Sequence, residues 1–322
     1  MKFKLRRLAA IAAVGFTIFF GGNSIADAAN ITSGAMQAFR RAYVTPVPDT
    51  RVFEQDITLI STNFHLDIDS RAQVLKDGSL KIGGQLNWNS TNLKNDFTTN
   101  SNIPFYVEQV GNEMTLYVKR NSKWSKISLP GFPTGLAILW KTTDPKILNG
   151  VTDAAKSVEI INNTPDLITM NVTLDGTKIA NILNENSAKT FAKLSGDALD
   201  AQKKNFYRWL SVFRKTDITF TWTVNKPSWT TATAIFDLTP IMRAYAIKIL
   251  DESAAGRIVL TDEERDLLDA IGYYSELRSY VTRIAVRDDT VVNLPDDLKA
   301  APENDDSLND ILSDMTKVVD RS

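Results

Sequence analysis

The chain has 322 residues, with 37 basic and 38 acidic side chains, one His and no Cys. This balance argues against a nucleic-acid partner, because binding to nucleic acid needs clustered positive charge to replace counterions. Without Cys the chain has no disulfides and no cysteine for lipid attachment, so its stability must come from burial. A chain of about 300 residues can bury roughly 75% of its unfolded surface.

The first 28 residues have the pattern of a secretory signal peptide. Basic residues between Lys2 and Arg7 are followed by a 13-residue apolar or small run, Leu8–Phe20, and by Ala26-Asp27-Ala28. This order is typical of a leader that is cleaved after its last alanine. The run is short for a membrane crossing, which takes about 20 residues, and an uncleaved anchor is the alternative. We expect an exported protein, periplasmic or secreted, with no lipid anchor and no integral membrane span after cleavage.

Residues 29–50 are predicted to form a short helix and a linker. From about Val52 the chain contains segments that alternate apolar and polar residues, as half-buried strands do, because successive strand side chains point to opposite faces. The clearest are TLISTNFHLDID, SLKIGGQLNW, MTLYVK, LITMNVTL and DITFTWTV. One apolar face per strand and short polar turns favour antiparallel pairing between sequence neighbours. Gly83-Gly84, inside the second segment, indicates a bend or a bulge.

Helical segments suited to cover the apolar face of the sheet interrupt and follow the strands. Three of them open with cap patterns: Asp144-Pro145, Thr239-Pro240, and the capping box of Thr261 with Glu264. Others are predicted at residues 128–140 and 194–215, and the capping-box helix is predicted to run over residues 260–281. The last, Leu308–Val319, is amphipathic and follows an acidic spacer.

These patterns predict the α+β class. The sheet is expected to be large, antiparallel and curved, a half-barrel meander with helices covering its concave face, because large twisted sheets curl. The predicted organisation is a signal peptide at 1–28, the short helix and linker at 29–50, a curved sheet domain with its covering helices at 51–239, a helical extension packed on the sheet at 240–294, and an acidic spacer with a terminal amphipathic helix at 295–322.

Patterns that would support catalysis or a metal site are weak. The only His, His65, alternates with Asp67 and Asp69 on a polar strand face, which favours a solvated surface over a metal site. The segment Asp251–Asp262 imitates a calcium loop but offers too few oxygen ligands, and Gly256 favours a helix–turn–helix joint there. With neither a catalytic triad nor a phosphate loop, we predict no enzyme, no catalytic residue, no metal and no cofactor; a hydrolase is the remaining enzymatic alternative.

The apolar strand face is notable for large side chains, including Met, which adapts to variable shapes. A curved sheet that leaves a cavity could hold an acyl chain, which gains about 0.8 kcal/mol per buried methylene without any catalytic group. The candidate lining residues of the concave face are Phe64, Leu66, Leu86, Trp88, Leu116, Val118, Met170, Val172, Phe220 and Trp222. The alternative is that the helices fill this face completely.

A signal peptide, neighbour-paired strands, LYVKRNSKWSKISLP and ITMNVTLDGTKIANIL together give a recognisable pattern. Between about residues 52 and 236 it resembles the periplasmic lipoprotein-carrier superfamily of LolA-, LolB- and LppX-like proteins, most visibly at Tyr117 and Trp124-x-Lys126. The resemblance implies an unclosed half-barrel that holds acyl chains in its concavity beneath a helical lid. The lipid-attachment Cys of many relatives is absent here, and no functional residue is transferred.

Two functions remain open. The first is a non-catalytic carrier or sensor of a lipid or another apolar small molecule at the cell envelope. The second is a non-enzymatic envelope scaffold with a filled core, whose C-terminal helix, Leu308–Val319, docks a protein partner.

Overall fold

The computed structural model of the protein describes residues 34–45, 50–61, 64–77, 79–92, 97–110, 113–120, 122–128, 144–187, 191 and 196–303. The described strands are β1 Arg51–Ile60, β2 Phe64–Val74, β3 Leu80–Asn92, β4 Phe97–Val110, β5 Glu113–Arg120, β6 Lys123–Ser128, β7 Ala155–Asn163, β8 Leu167–Leu174, β9 Ile218–Asn225, β10 Thr230–Asp237 and β11 Glu276–Ile284. The described α-helices are α1 Gly34–Val44, α2 Pro145–Asp153, α3 Gly176–Glu185, α4 Gly196–Phe213, α5 Thr239–Ala254 and α6 Asp262–Tyr274, and a 3-10 helix spans Asp296–Ala300.

The eleven described strands form one antiparallel sheet in the order β6-β5-β4-β3-β2-β1-β11-β10-β9-β8-β7. The sheet is open, and with its helices it gives the predicted α+β half-barrel. It consists of two meanders, β1–β6 and β7–β10, joined by β11, which pairs with β1 on one side and with β10 on the other. The last of the described strands therefore lies in the middle of the sheet, directly beside β1.

This central strand differs from the expectation of a helical extension over residues 240–294. The extension holds α5 and α6, but the chain leaves α6 at Tyr274 and forms β11 from Glu276. In β11 the residues Leu277, Ser279 and Val281 are buried and the residues between them are exposed, which is strand periodicity. The predicted helix over 260–281 is wrong from Ser275 onward, because a nine-residue strand is needed to join the two meanders.

The segment TLISTNFHLDID is two strands rather than one. β1 ends at Ile60, β2 begins at Phe64, and Ile60 pairs with His65. The turn changes which residues face the core: Leu59, Leu66 and Ile68 are buried, whereas Ile60 is exposed. In one continuous alternating strand, Ile60 would share the apolar side with Leu66 and Ile68, and the turn reverses that assignment.

Two of the three cap predictions are confirmed. The side chain of Asp144 accepts from the Lys146 N–H, and Thr261 forms its capping box with Glu264. Thr239 is not a cap, because the N-cap position is Leu238. The Thr239 hydroxyl instead exchanges hydrogen bonds with the backbone of Leu277, at 2.9 and 3.3 Å, and so ties α5 to β11. Gly256, at a φ of +68°, follows the end of α5, in agreement with the predicted helix–turn–helix joint.

The helices pack in chain order, each of α1 to α6 against the next, on the apolar face of the sheet. One buried ion pair joins α4 to α5. Arg208 donates to Glu252 from Nε at 3.3 Å and from Nη2 at 2.5 Å, and both side chains are buried. Beside this pair, Trp209 stacks on Tyr245 with 4.1 Å between ring centroids.

Residues 285–303, here named the C-terminal strap, cross the convex face of the first meander. The Arg71 guanidinium donates to the Asp289 carbonyl at 2.8 Å, and the Val292 N–H donates to Gln73 Oε1 at 3.0 Å. At the far edge of the sheet, the Lys126 N–H of β6 donates to the Pro302 carbonyl at 3.0 Å. Residues 295–303 belong to the predicted acidic spacer, but Leu298 and Ala301 are buried. The predicted signal peptide, the helix at 128–140 and the terminal helix at 308–319 lie outside the described residues.

Candidate ligand-binding site

The concave wall of the half-barrel is formed by alternate residues of every described strand. Cross-strand pairs place these residues in rows, such as Leu66 with Trp88 and Met170 with Trp222. The apolar residues of both meanders belong to one buried cluster. The sequence pattern thus identified the inward side correctly for the hairpin of β5 and β6, where Met114, Leu116 and Val118 are buried.

The candidate residues fall into two groups along this wall. The first group lies on β2, β3 and β5 and the second on β8 and β9. Between β2 and β9 lie β1, β11 and β10, so the groups are roughly 19 Å apart along the sheet at about 4.8 Å per strand. The sequence pattern does not predict this separation, because no local pattern reveals that β11 enters between the meanders.

The second group is covered by α1. Met170 and Val172 are fully buried, Phe220 and Trp222 nearly so. Phe39 of α1, itself fully buried, meets Trp222 with 6.1 Å between ring centroids, and α1 also packs against β7. The indole N–H of Trp222 donates to Thr231 Oγ1 at 3.1 Å. This part of the wall is therefore filled by the protein's own side chains.

The first group is less completely covered. Leu66, Trp88, Leu116 and Val118 are buried, but Leu86 is only half-buried. Its cross-strand partner on β4, Ile103, is half-buried too. The backbone of Phe64 lies in β2, and its side chain is outside the described residues.

Ile103 was not found from the sequence, although it belongs to the same wall. It lies in β4, whose sequence FTTNSNIPFYVEQV is polar at its start and contains Pro104. Proline within a run argues against a central strand, so the sequence pattern does not predict the alternation of Ile103, Phe105 and Val107. The wall also contains three buried polar residues that the sequence pattern does not predict, Gln55, Ser70 and Ser279. Gln55 and Ser70 occupy inward strand positions where alternation calls for an apolar residue, and Ser279 lies in a segment predicted to be helical.

The convex face carries the polar residues considered for a metal site. His65 Nε2 lies 3.0 Å from Asp67 Oδ1, Thr58 donates to the same carboxylate, and Asn87 donates to Asp69. The described part of the chain contains no cluster of three His, Cys, Asp or Glu side chains able to hold a metal. Partial burial, and then the charges of Asp69, Glu54 and Asp67, raise the pKa of Asp56 above its usual value. This face is an acidic, hydrogen-bonded outer surface.

The fold and the wall define an open α+β half-barrel with an apolar concave face. Among the described helices, none is both long and apolar enough to cross a membrane. No family model and no curated protein matches the chain. The chain is similar to the crystal structure of LprF from Mycobacterium bovis, at 11% identity and a TM-score of 0.35, with 83% of this chain and 99% of that chain covered.

A second solved structure is a LolA superfamily protein from Nitrosomonas europaea, at 12% identity and a TM-score of 0.22, with 84% of this chain and 97% of that chain covered. It bears the name of the superfamily that the sequence pattern resembles. Because both TM-scores are low, neither structure carries an argument about the site. The site is defined by the sheet and its side chains alone.

Proposed function

We propose that the protein is an exported, non-catalytic carrier or sensor that holds an acyl chain or a similar apolar ligand against the first part of the concave wall. The observation that carries this proposal is the partial exposure of Leu86 and Ile103, a cross-strand pair in a wall whose other described apolar residues are mostly buried. Ligand pockets are typically apolar concavities, and half-buried residues within an apolar wall have the properties of such a lining.

The energetics of burial suit such a role. Each methylene moved from water to an apolar surface contributes about 0.8 kcal/mol, so about ten methylenes contribute about 8 kcal/mol before the costs of association. No charged group is needed for this affinity. The chain's only His lies on the convex face beside Asp67, away from the wall.

Export is the part of the proposal that rests on the sequence alone. The basic start, the short apolar run and Ala26-Asp27-Ala28 support it. A carrier of acyl chains is useful where an apolar molecule must cross a water-filled compartment such as the periplasm. The test of this part is the N-terminal residue of the protein recovered from outside the cytoplasm, which should be Ala29.

Ligand binding is tested by native mass spectrometry of the purified protein and by titration with a fluorescent fatty-acid probe. We expect co-purified lipid, and tight probe binding that Leu86→Trp weakens at least tenfold by filling the open part of the wall. The matched control is Val259→Trp, at a position that is 68% exposed in the joint between α5 and α6, which should bind like the wild type. Thermal unfolding of both variants separates a filled site from a misfolded chain.

A ligand-free mass together with no probe binding would contradict the carrier function. It would favour the scaffold alternative, which draws support from the filled second part of the wall, where Phe39 packs on Trp222. In that alternative the segment beyond Glu303 docks an envelope protein. A chain ending at Glu303 keeps the C-terminal strap, and unchanged association of this chain with its partners would remove the alternative.

A further inference from the structure

The apolar wall contains an uncharged polar cluster of three side chains, here named the polar triad: Gln55 of β1, Ser70 of β2 and Ser279 of β11. Gln55 and Ser70 are direct cross-strand partners, and Ser279 lies on the neighbouring strand opposite Ile57. Gln55 and Ser279 are fully buried, and Ser70 is 9% exposed. All three belong to the inward-facing set of their strands, since they alternate with exposed or half-buried residues.

The hydrogen bonds of the polar triad are long. Gln55 Nε2 donates to Ser279 Oγ at 3.4 Å, and Ser70 Oγ lies 3.5 Å from both the carbonyl and Oε1 of Gln55. Good hydrogen bonds of these types measure about 2.7–3.2 Å. A glutamine amide has two donor hydrogens and an oxygen with two acceptor sites. Among the described residues, the Gln55 amide donates one long hydrogen bond and accepts one long hydrogen bond. Burying such a group without good partners costs free energy, so its position in the wall calls for an explanation.

The triad borders the open part of the wall. Ser70 pairs with Gly84 of β3, and two residues further along β3 lies Leu86, opposite Ile103. Gly84, Leu86 and Ile103 are all half-buried. Because Gly84 has no side chain, the surface beside Ser70 is bare backbone. Ser70 is therefore the member of the triad nearest to a ligand that lies on Leu86.

We propose that Ser70 donates a hydrogen bond to the carbonyl oxygen of an acyl ester or acyl amide bound on the open part of the wall. Gln55 and Ser279 are positioning residues that hold the Ser70 hydroxyl in place. This assignment rests on the proposed carrier function and narrows its ligand from any apolar molecule to a lipid with a neutral carbonyl group. The bond to the ligand, at about 2.7–2.8 Å for a hydroxyl donor, replaces the two 3.5 Å contacts that Ser70 makes in the free protein.

The experiment compares two probes that differ only at the polar end: a long-chain fatty acid methyl ester and the n-alkane of equal chain length. Both are titrated into the full chain by displacement of the fluorescent fatty-acid probe. One hydrogen bond of ordinary net strength corresponds to about a three- to tenfold difference in Kd. We expect the wild type to prefer the ester by that factor and Ser70→Ala to bind both probes about equally, with its alkane affinity unchanged.

Leu86→Ala is the matched control, because it removes apolar contact without touching the polar triad. It should raise the Kd of both probes by a similar factor and leave the ratio of the two Kd values unchanged. Ser279→Ala should reduce the preference for the ester in part, since it releases the Gln55 amide. If Ser70→Ala does not fold, the infrared carbonyl band of a carbon-13-labelled ester bound to the wild type provides the readout: a band at the hydrogen-bonded position is expected, and a band at its value in alkane would overturn the assignment.

The outcomes separate the two proposals. If both probes bind and the wild type shows no ester preference, or if Ser70→Ala keeps it, the triad has no role in recognition and the carrier function stands. If neither probe binds to the wild type, the carrier function itself fails, and the assignment fails with it.

Discussion

Phe39 of α1 meets Trp222 of β9 nearly edge to face, with 6.1 Å between ring centroids and 78° between ring planes. The contact joins a helix that precedes the sheet in sequence to a strand in the second meander. It closes one part of the concave wall, and the other part keeps Leu86 and Ile103 half-buried. The two parts of the wall thus differ in how completely their side chains are buried.

The first prediction concerns this contact. Phe39→Ala should lower the free energy of unfolding by about 3–5 kcal/mol, since it removes a fully buried ring and leaves a cavity. Urea unfolding measures the change. Tyr207→Ala, at a position 51% exposed, is the control and should stay within about 0.5 kcal/mol of the wild type. A loss below about 1 kcal/mol for Phe39→Ala would mean that α1 is not docked on the wall.

The second prediction concerns Gly84, where β2 and β3 approach closely. A Cβ at this position would lie 2.3 Å from the backbone oxygen of Asp69 and 2.6 Å from the Ser70 Cβ. Gly84→Ala must push the strands apart and should cost about 1–3 kcal/mol or more in urea unfolding. Gly34→Ala provides the comparison, because nothing lies within 4 Å of its Cβ and alanine favours a helix. Equal stability of the two variants would show that the strands have room to separate.

A third prediction concerns the C-terminal strap. Val292 is buried beside Gly83, so Val292→Asp should detach the strap and expose the Lys126 amide, whose hydrogen bond goes to Pro302. Hydrogen exchange of a peptide covering β6 should become faster. Val286→Asp, in the same strap at a position 48% exposed, should leave that exchange unchanged. Identical exchange in both variants would show that Val292 does not hold the strap against the sheet.

The fourth prediction concerns the buried pair Arg208–Glu252. Burial by itself raises the pKa of Glu252, but the hydrogen bond from Arg208 and the charges of Arg208 and Lys248 outweigh it, so the pKa lies below its usual value. The stabilisation is therefore present above the unfolded-state pKa of about 4.3 and is lost as the pH falls through the lower, folded-state pKa. Glu252→Gln should therefore lower the free energy of unfolding by its full amount above about pH 5 and by less in more acidic solution. A deficit that does not change with pH would contradict the pKa shift.

The same pair gives a mutational test at neutral pH. Arg208→Met leaves Glu252 buried without its main partner and should cost about 3–5 kcal/mol. The double variant Arg208→Met with Glu252→Met should recover much of this loss, since both charges are gone. Urea unfolding of the two single variants and the double variant completes the cycle. A double variant as unstable as the sum of the single variants would mean that the two residues act independently.

Much of the sheet could be predicted because strand alternation is local. DITFTWTV and LITMNVTL became β9 and β8, with Trp222 and Met170 on the inward side. The candidate site could be predicted only in part. Ile103 was hidden by Pro104. The polar triad was hidden because Gln55 looks like an ordinary polar strand residue and Ser279 lies in a segment that was predicted to be helical. The role of Thr239 was likewise not predictable from local sequence, because its hydroxyl forms hydrogen bonds with Leu277 of β11 and does not cap α5.

The sequence by itself determined the class of the protein: an α+β chain with alternating strands, capped helices and an apolar face, because these depend on residues a few positions apart. Only the tertiary structure decided the order of the strands, the entry of β11 between two meanders, the cover of Phe39 over Trp222 and the course of the strap from Arg71 to Lys126. These contacts join residues far apart in the chain, and their positions follow from how layers pack and not from any local pattern.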